Sequence, residues 1–352
     1  WYEKNEENMH IMIKNGLLHE NKAYKITGEN LKKIHNAPVS MSVSKLENFA
    51  ACPFKFFMDG IIKPRPRIVQ KVEFYDLGNI YHQAVEQFTK QITENAENID
   101  NLNKDEIYSL SQSCAEKILD EGEMDYTALN ANQRSIYMKE KIKRLIGRAA
   151  DTIVEQLKKG NFRPACTELV IGEEGSRAIE PLKIKISDDV SVLLQGRIDR
   201  VDTLQKDGKT YINIIDYKSS YKDIDLSDAV QGLQLQLLVY MSAIIRNGEK
   251  LFRTETEIGG AYYFCIDDPL IDGDEVLAEN SQREIFKQLS LKGYIVEDAD
   301  IISNMDREIA ESRKSDVIPV SLNKDGSTSK SSKTLTVDEF RAVLYKTDSV
   351  AA

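Results

Sequence analysis

The chain contains no Cys-x-x-Cys pair. Its four cysteines, Cys52, Cys114, Cys166 and Cys265, are scattered singly along 352 residues, so the sequence itself offers no compact thiolate cluster for a metal. Cys114, Cys166 and Cys265 read as buried, reduced thiols. No apolar stretch approaches the roughly 20 residues that a membrane-spanning helix needs, which argues against a membrane partner. There is no secretory leader, and the first residue is Trp1 instead of Met; the expectation is a cytoplasmic piece of a longer protein. Internal repeats are absent as well. Positive charge is in deficit, with 57 Asp and Glu against 47 Lys and Arg for a formal net charge of -10. That is the wrong sign for a free-standing DNA-binding module, whose phosphate contacts come from Lys and Arg. What is plentiful is apolar material: at 41% hydrophobic residues the chain can bury a substantial core, as one large domain or little more.

The chemistry-bearing residues concentrate between Gln195 and Lys218. The run Gly196-Arg197-Ile198-Asp199-Arg200-Val201 is followed by Ile214-Ile215-Asp216-Tyr217-Lys218. Between them, Asp207-Gly208 is a hairpin-turn signal, so the two runs should pair antiparallel and bring Asp199 within reach of Asp216. Asp216 and Lys218 then project from one face of a strand, roughly 6.5 to 7 Å apart. Two carboxylates and a lysine in this arrangement suit phosphodiester hydrolysis. A hard divalent cation held by Asp199 and Asp216 would activate water and spread charge from the phosphate, and Lys218 would position the water or steady the developing charge. Ile212, Ile214 and Ile215 make the second strand a buried one, where an Asp and a Lys without a function would be expensive. Leu226 to Arg246 then has helical periodicity and carries Gln236 and Tyr240 one turn apart on one face, from which they could meet DNA or the lysine.

Taken together, Gly-x-Ile-Asp-Arg-Val-Asp, Ile-Asp-Tyr-Lys-Ser and Gln-Leu-Gln-Leu-Leu-Val-Tyr resemble the RecB-type branch of the PD-(D/E)XK nuclease superfamily. Within it, the stretches Ser42 to Phe57 and Ser315 to Gly326 are most similar to the nuclease domain of AddB-type subunits of bacterial helicase-nucleases, and the similarity covers roughly residues 40 to 346. The resemblance implies an α/β, restriction-endonuclease-like fold: a mixed central sheet flanked by helices, with a helical insertion. It implies Mg²⁺-dependent cleavage of DNA, Mn²⁺ being a substitute, and an AddA-type helicase-nuclease subunit as partner. It assigns His82, in Gly78-Asn79-Ile80-Tyr81-His82, and the backbone carbonyl of Tyr217 as further metal ligands, and Glu168 as an additional acid. Cys52, in Cys-Pro-Phe, matches the first of four cysteines that hold a [4Fe-4S] cluster in the family. The other three would lie beyond Ala352, so the cluster is expected in the full-length protein and not in this chain. Other RecB-type nucleases, a Cas4-like exonuclease or a phage recombination nuclease, share the central motifs. A non-catalytic nuclease fold kept for docking or DNA binding is the remaining alternative, against which the intact Asp199, Asp216 and Lys218 argue.

The organisation expected along the chain is a linker over 1–37 with a short helix near Met9 to Leu18, a nuclease domain over 38–346, and a tail over 347–352. Within the domain a helical part covers 76–160, the sheet 163–268 and a C-terminal helical part 281–346. Ser44-x-x-Glu47 reads as a capping box opening a helix to about Asp59. Further helices are expected over Asp76–Ile92, Lys104–Glu121 and Asn130–Lys159. Strands are expected from Arg163, at Leu182–Ile186, at Gly260–Ile266 and at Val317–Ser321. Ser327–Lys333 reads as a mobile loop. Candidate basic patches are Lys63 to Arg67 and the helical group Lys139, Lys141, Lys143, Arg144 and Arg148, both more readily solvated faces than DNA grooves.

Overall fold

The structure, a computed structural model, describes residues 2–18, 39–64, 74–94, 96–121, 133–172, 179–185, 191–269 and 278–351. In chain order its main elements are α1 (Tyr2–Leu17), β1 (Val39–Ser42), α2 (Val43–Ala51), α3 (Phe74–Glu94), α4 (Lys104–Glu121), α5 (Gln133–Lys159), β2 (Arg163–Ile171), β3 (Leu182–Lys185), β4 (Ser191–Lys206), β5 (Lys209–Lys218), α6 (Leu226–Val230), α7 (Gln236–Phe252), β6 (Glu255–Cys265), α8 (Ala278–Gln288), β7 (Lys292–Val296), α9 (Ala299–Met305), β8 (Thr334–Leu335) and α10 (Val337–Ala351). The chain divides into two units, Trp1–Val39 and Ser40–Ala352. In the first, α1 extends the expected helix upstream; most of the remaining linker lies outside the described residues, as do Arg65 to Arg67 of the first basic patch.

In the second unit the hairpin forms as its turn dictates. Asp207 and Gly208 both take positive φ, 52° and 75°, the left-handed geometry of a tight hairpin. β4 and β5 pair antiparallel from Lys206 opposite Lys209 to Arg200 opposite Ile215. β5 then runs parallel to β6, with α7 as the crossover that a parallel pair requires. The eight-stranded sheet has the order β1-β4-β5-β6-β7-β8, and β2 and β3 also pair with β4. It is mixed and flanked by helices, as expected.

Alternation along the central strands divides the side chains between two faces. Ile215 and Tyr217 of β5, with Tyr262 and Phe264 of β6, pack into a core with Ile80 and Phe88 of α3 and Ile146 and Ile153 of α5. α7 covers β5 and β6 with an almost wholly buried apolar stripe that includes Leu237, Leu238, Met241 and Ile244. Two polar residues of β5, Asp216 and Lys218, alternate with Ile215 and Tyr217 and so fall away from the α3–α5 core.

Several expected elements are corrected. Ser44 is not a cap: the N-cap of α2 is Ser42, whose Oγ accepts from Lys45 N–H at 3.4 Å. That helix stops at Ala51, before Cys52-Pro53, and short helical turns continue to Ile62. The helix read over Leu226 to Arg246 is two, broken where Gly232 takes φ +85° against Ala50 and Val350. Val317–Ser321 is not a strand. The Ser315 hydroxyl accepts from the Val317 and Ile318 N–H groups while donating to Asp306, which folds the segment into turns. The strand nearby is β7, which sequence reading missed because Gly293 interrupts a five-residue run. Ser327–Lys333 is an irregular segment laced by hydrogen bonds, in which the Ser332 hydroxyl accepts the Ser321 N–H and donates to the Ser321 carbonyl.

Candidate active site and metal centre

The site forms where β4 and β5 part. Beyond Arg200 opposite Ile215 the ladder ends, and the Asp199 carboxylate takes over from a backbone carbonyl, accepting the Tyr217 N–H at 2.8 Å. Asp199 and Asp216, both buried, are thereby brought together at the split. His82, one turn beyond Gly78 on α3, places Nε2 2.8 Å from Asp199. Gly78 is needed for the approach, because a Cβ there would come within 3.0 Å of the Ser219 hydroxyl. The His82 ring meets Tyr217 edge-on at 6.0 Å, and the Tyr217 hydroxyl lies 2.9 Å from that of Thr89, also on α3. Thus Tyr217 joins the site through its N–H and braces α3 with its ring.

Glu168 completes a donor set. Ligand atoms of His82, Glu168 and Asp199 lie within 4.8 Å of one another. Glu168 stands in β2 with φ +53°, a conformation that strains a residue with a Cβ and is held only where the surroundings demand it. Its Oε2 is paired with Arg197, while Oε1 is buried without a donor. A buried, unsatisfied carboxylate oxygen beside an imidazole and a second carboxylate fits a divalent cation: oxygen donors suit Mg²⁺ and Mn²⁺, and one neutral imidazole is tolerated by Mn²⁺.

A residue that sequence reading missed stands on the same helix. Glu86 is one turn after His82 and within hydrogen-bonding reach of Glu168; burial and the Glu168 charge push it up to about 7. The His-x-x-x-Glu spacing was the available signal, since residues four apart share a helix face. For His82, burial opposes the charged ring, but the hydrogen bond to Asp199 and the charges of Asp199, Glu168 and Asp216 outweigh it and raise its pKa. Burial, then the charge of Asp199, pushes Asp216 up to about 6 against the pull of Lys218.

The other half of the site is arranged by α7. Gln236, its first residue, donates from Nε2 to Asp216 at 2.7 Å and accepts from Lys218 Nζ at 3.2 Å. Lys218 also pairs with Asp216 directly. Gln236 is held by Glu47, which caps α7 instead of its own helix: its Oε1 accepts the Leu235 and Gln236 N–H groups at 2.6 and 3.0 Å. Tyr240 is turned away from solvent. It is buried, its hydroxyl sits against Gly196, where a side chain would overlap it, and burial with the Asp216 charge pushes it up to about 12. It supports Gln236 from behind.

Cys52 lies apart, exposed at the end of α2, whereas Cys114 and Cys265 are buried and Cys166 half-buried. The helical basic group is largely spent on ion pairs: Lys139 with Asp120, Lys143 with Glu116, and Arg144 and Arg148 with Asp268.

A hairpin that delivers Asp and Asp-x-Lys to the split edge of a mixed sheet, with a histidine and a glutamate beside them, is a candidate metal site of the nuclease type. Comparison with known families agrees: residues 40–319 match the PD-(D/E)XK nuclease superfamily, and the chain belongs to it. Among individual proteins, it is 37% identical over 98% of its length to the ATP-dependent helicase/deoxyribonuclease B subunit of Alkaliphilus metalliredigens and 35% identical over 98% to that of Alkaliphilus oremlandii. The corresponding protein of Clostridium tetani is 36% identical over 97%. The chain spans 30% of the length of the first two relatives and 29% of the third.

Proposed function

We propose that this chain is the nuclease part of an AddB-like subunit, hydrolysing DNA phosphodiester bonds with Mg²⁺, or Mn²⁺ in its place, while an AddA-type helicase-nuclease partner unwinds a broken duplex for recombinational repair. The observation that carries the reading is the meeting of His82, Glu168 and Asp199 within 4.8 Å beside an Asp216 and a Lys218 that Gln236 joins. His82, Glu168, Asp199 and Asp216, with the Tyr217 carbonyl, are the residues that would hold the cation. A bound divalent cation supplies Lewis acidity to the phosphate and lowers the pKa of water. Lys218 places a positive charge where the pentavalent phosphate gathers negative charge, and its hydrogen bond to Gln236 fixes the ammonium's direction. Gln236 also holds the Asp216 carboxylate in one orientation, so less reorganisation is left for the transition state. Cleavage of this kind leaves a 5′ phosphate.

Alongside the site, a cleft of about 570 Å³ lined by Gly78, Tyr81, Ser219 and Ser220 gives room for a strand at the end of β5. The cysteines of this chain do not by themselves suit an iron–sulfur cluster, since among the described residues none of them stands in a group of three or more metal-donor side chains. The [4Fe-4S] cluster is assigned to the full-length protein, with Cys52 as the ligand from this part; the approach of Val350 and Ala50 to Gly232 puts the end of α10 close to the Cys52 helix. End-labelled DNA incubated with Mg²⁺ and with a chelator tests the enzymatic reading. Shortening of the label in Mg²⁺ alone is expected, and intact DNA across Mg²⁺ and Mn²⁺ concentrations would overturn it.

A further inference from the structure

The sheet face that carries Asp216 and Lys218 continues across two more strands. Asp216 stands opposite Tyr263, Lys218 opposite Cys265, and Tyr263 opposite Lys292. Directly paired residues share a face, so Lys292 of β7 belongs to the same surface as the catalytic strand. Lys222, in the segment after β5, joins them from above. Its ammonium lies 4.8 Å from the Tyr263 ring centre, and that of Lys218 lies 5.5 Å from the same ring. The segment is fastened down: Lys222 N–H donates to Cys265 Sγ at 3.3 Å, and the thiol lies 3.5 Å from the Lys222 carbonyl.

Lys222 and Lys292 differ from the basic groups of α5 in making no ion pair among the described residues. Among the described residues, Lys218 pairs with Asp216 and Lys333 with Asp223, but neither Lys222 nor Lys292 has a carboxylate in ion-pair contact; the Lys292 ammonium donates to the Ser290 hydroxyl at 2.8 Å. Glu47, the acid on the Lys222 side, is taken by the Leu235 and Gln236 N–H groups. Both lysines are half-buried, and burial pushes both pKa values down, reinforced at Lys222 by Lys218 and at Lys292 by Lys333, and outweighing the charges of Glu47 and Asp216 at Lys222 and of Asp223 at Lys292. A half-buried cation without an ion-pair partner is costly to a fold. Two of them beside a third, in a chain of net charge -10, are an arrangement that an external anion relieves. On the opposite side of Asp199 the acids Glu86 and Glu168 face the site, with Glu168 already paired to Arg197.

We propose that Lys222 and Lys292 form a phosphate-binding track that carries the substrate strand from the metal centre across β6 to β7, holding backbone phosphates next to the scissile one. This rests on the nuclease reading above and names the direction in which the strand leaves the site. Tyr263 is 1% exposed, so its ring supports the ammonium groups and offers no base a stacking surface. Recognition along the track is therefore of the backbone and independent of sequence.

The test is the salt dependence of binding to a fluorescent single-stranded oligothymidylate, read by anisotropy on the 352-residue chain with Ca²⁺ in place of Mg²⁺. Each phosphate contact in a single strand contributes about 0.7 to the slope of log affinity against log salt. Lys222→Gln with Lys292→Gln should reduce the slope by about 1.4, each alone by about 0.7, and the corresponding Arg variants should restore it. Lys250→Gln, which removes a surface cation paired with Glu180, should leave the slope as it is. If the double variant no longer melts cooperatively, the single variants decide. A wild-type protein that cleaves DNA in Mg²⁺ while the Gln variants keep the full slope would overturn the track and leave the nuclease reading standing. A wild-type protein that cleaves in neither Mg²⁺ nor Mn²⁺ would remove both.

Discussion

Glu47 is far from Gln236 in sequence and makes no contact with the metal donors, yet the structure predicts that replacing it impairs cleavage. Its Oε1 satisfies two N–H groups at the start of α7, those of Leu235 and Gln236. Losing such a cap costs about 0.5–2 kcal/mol, and losing a negative charge at a helix N-terminus about 0.3–1 kcal/mol more. Glu47→Ala should therefore lose about 1–3 kcal/mol, which in a domain of this size lowers Tm by about 1.5–5 °C. The larger effect should be on turnover. Gln236 is the first residue of α7 and joins Asp216 at 2.7 Å to Lys218 at 3.2 Å, so fraying of the first turn lets both catalytic groups drift. A displacement of about 1 Å costs up to about 10² in rate. Glu47→Gln keeps a carbonyl acceptor and should retain most of the stability and more of the activity than Ala. Differential scanning fluorimetry and end-labelled DNA cleavage at saturating Mg²⁺ are the assays. If Glu47→Ala melted with the wild type and cleaved at its rate, the positioning of Gln236 by the cap would be refuted.

Asp216→Ala should abolish cleavage of labelled DNA while leaving a folded protein. The folded-state value of Asp216, about 6, lies above the ordinary value of about 3.9. Its contribution to stability is thus present below the ordinary value and lost as pH rises through about 6, so at pH about 8 the ionised carboxylate burdens the metal-free fold and its deletion costs little in a melt with chelator. Lys218→Ala should keep its Mn²⁺ affinity in calorimetry and lose roughly 10² to 10³ in turnover; lost affinity with normal turnover at saturating metal would make Lys218 structural. Mn²⁺ affinity should rise with pH between about 5 and about 8, because ligands must shed protons to bind and Asp216 and His82 both hold theirs above the ordinary range; a flat profile would contradict the donor assignment. In the native chain Cys52 should be alkylated first by a maleimide, read by intact mass, with buried Cys114 and Cys265 protected, and anaerobically purified protein should contain no stoichiometric iron.

The hairpin and its acids were legible because their determinants are local. A two-residue turn, an alternating apolar pattern and the two-residue spacing of Asp216 and Lys218 need no knowledge of the rest of the chain. Gln236 was legible by its place on a periodic segment, although the segment is two helices, broken by contacts of Gly232 with Ala50 and Val350 that no local pattern encodes. His82 and Glu168 came from the family resemblance, and the structure places both against Asp199. Glu86 was passed over because nothing in a helix's own sequence distinguishes a solvated glutamate from one facing another carboxylate across the fold. Glu47 was misread for a related reason: its spacing from Ser44 fits a cap of its own helix, but the N–H groups it serves belong to α7. Tyr240 shares its helix face with Gln236 as expected, but the close packing of Gly196 closes over it.

The donors of the site come from very unequal distances along the chain. Asp199 and Asp216 belong to one hairpin, the kind of unit that forms in about 1–10 μs. Glu168 needs β2 to register against β4, and His82 needs α3 to dock on the finished sheet. A metal ion that requires all of them has nothing to bind until the slowest, most distant contact is made. Such an ion stabilises only the completed fold, by RT ln(1 + [L]/Kd), and is no scaffold for early intermediates. A partly synthesised or misfolded copy carries the hairpin and its acids but not the complete donor set: on the proposed reading, the capacity to cleave DNA would arrive only together with the finished fold.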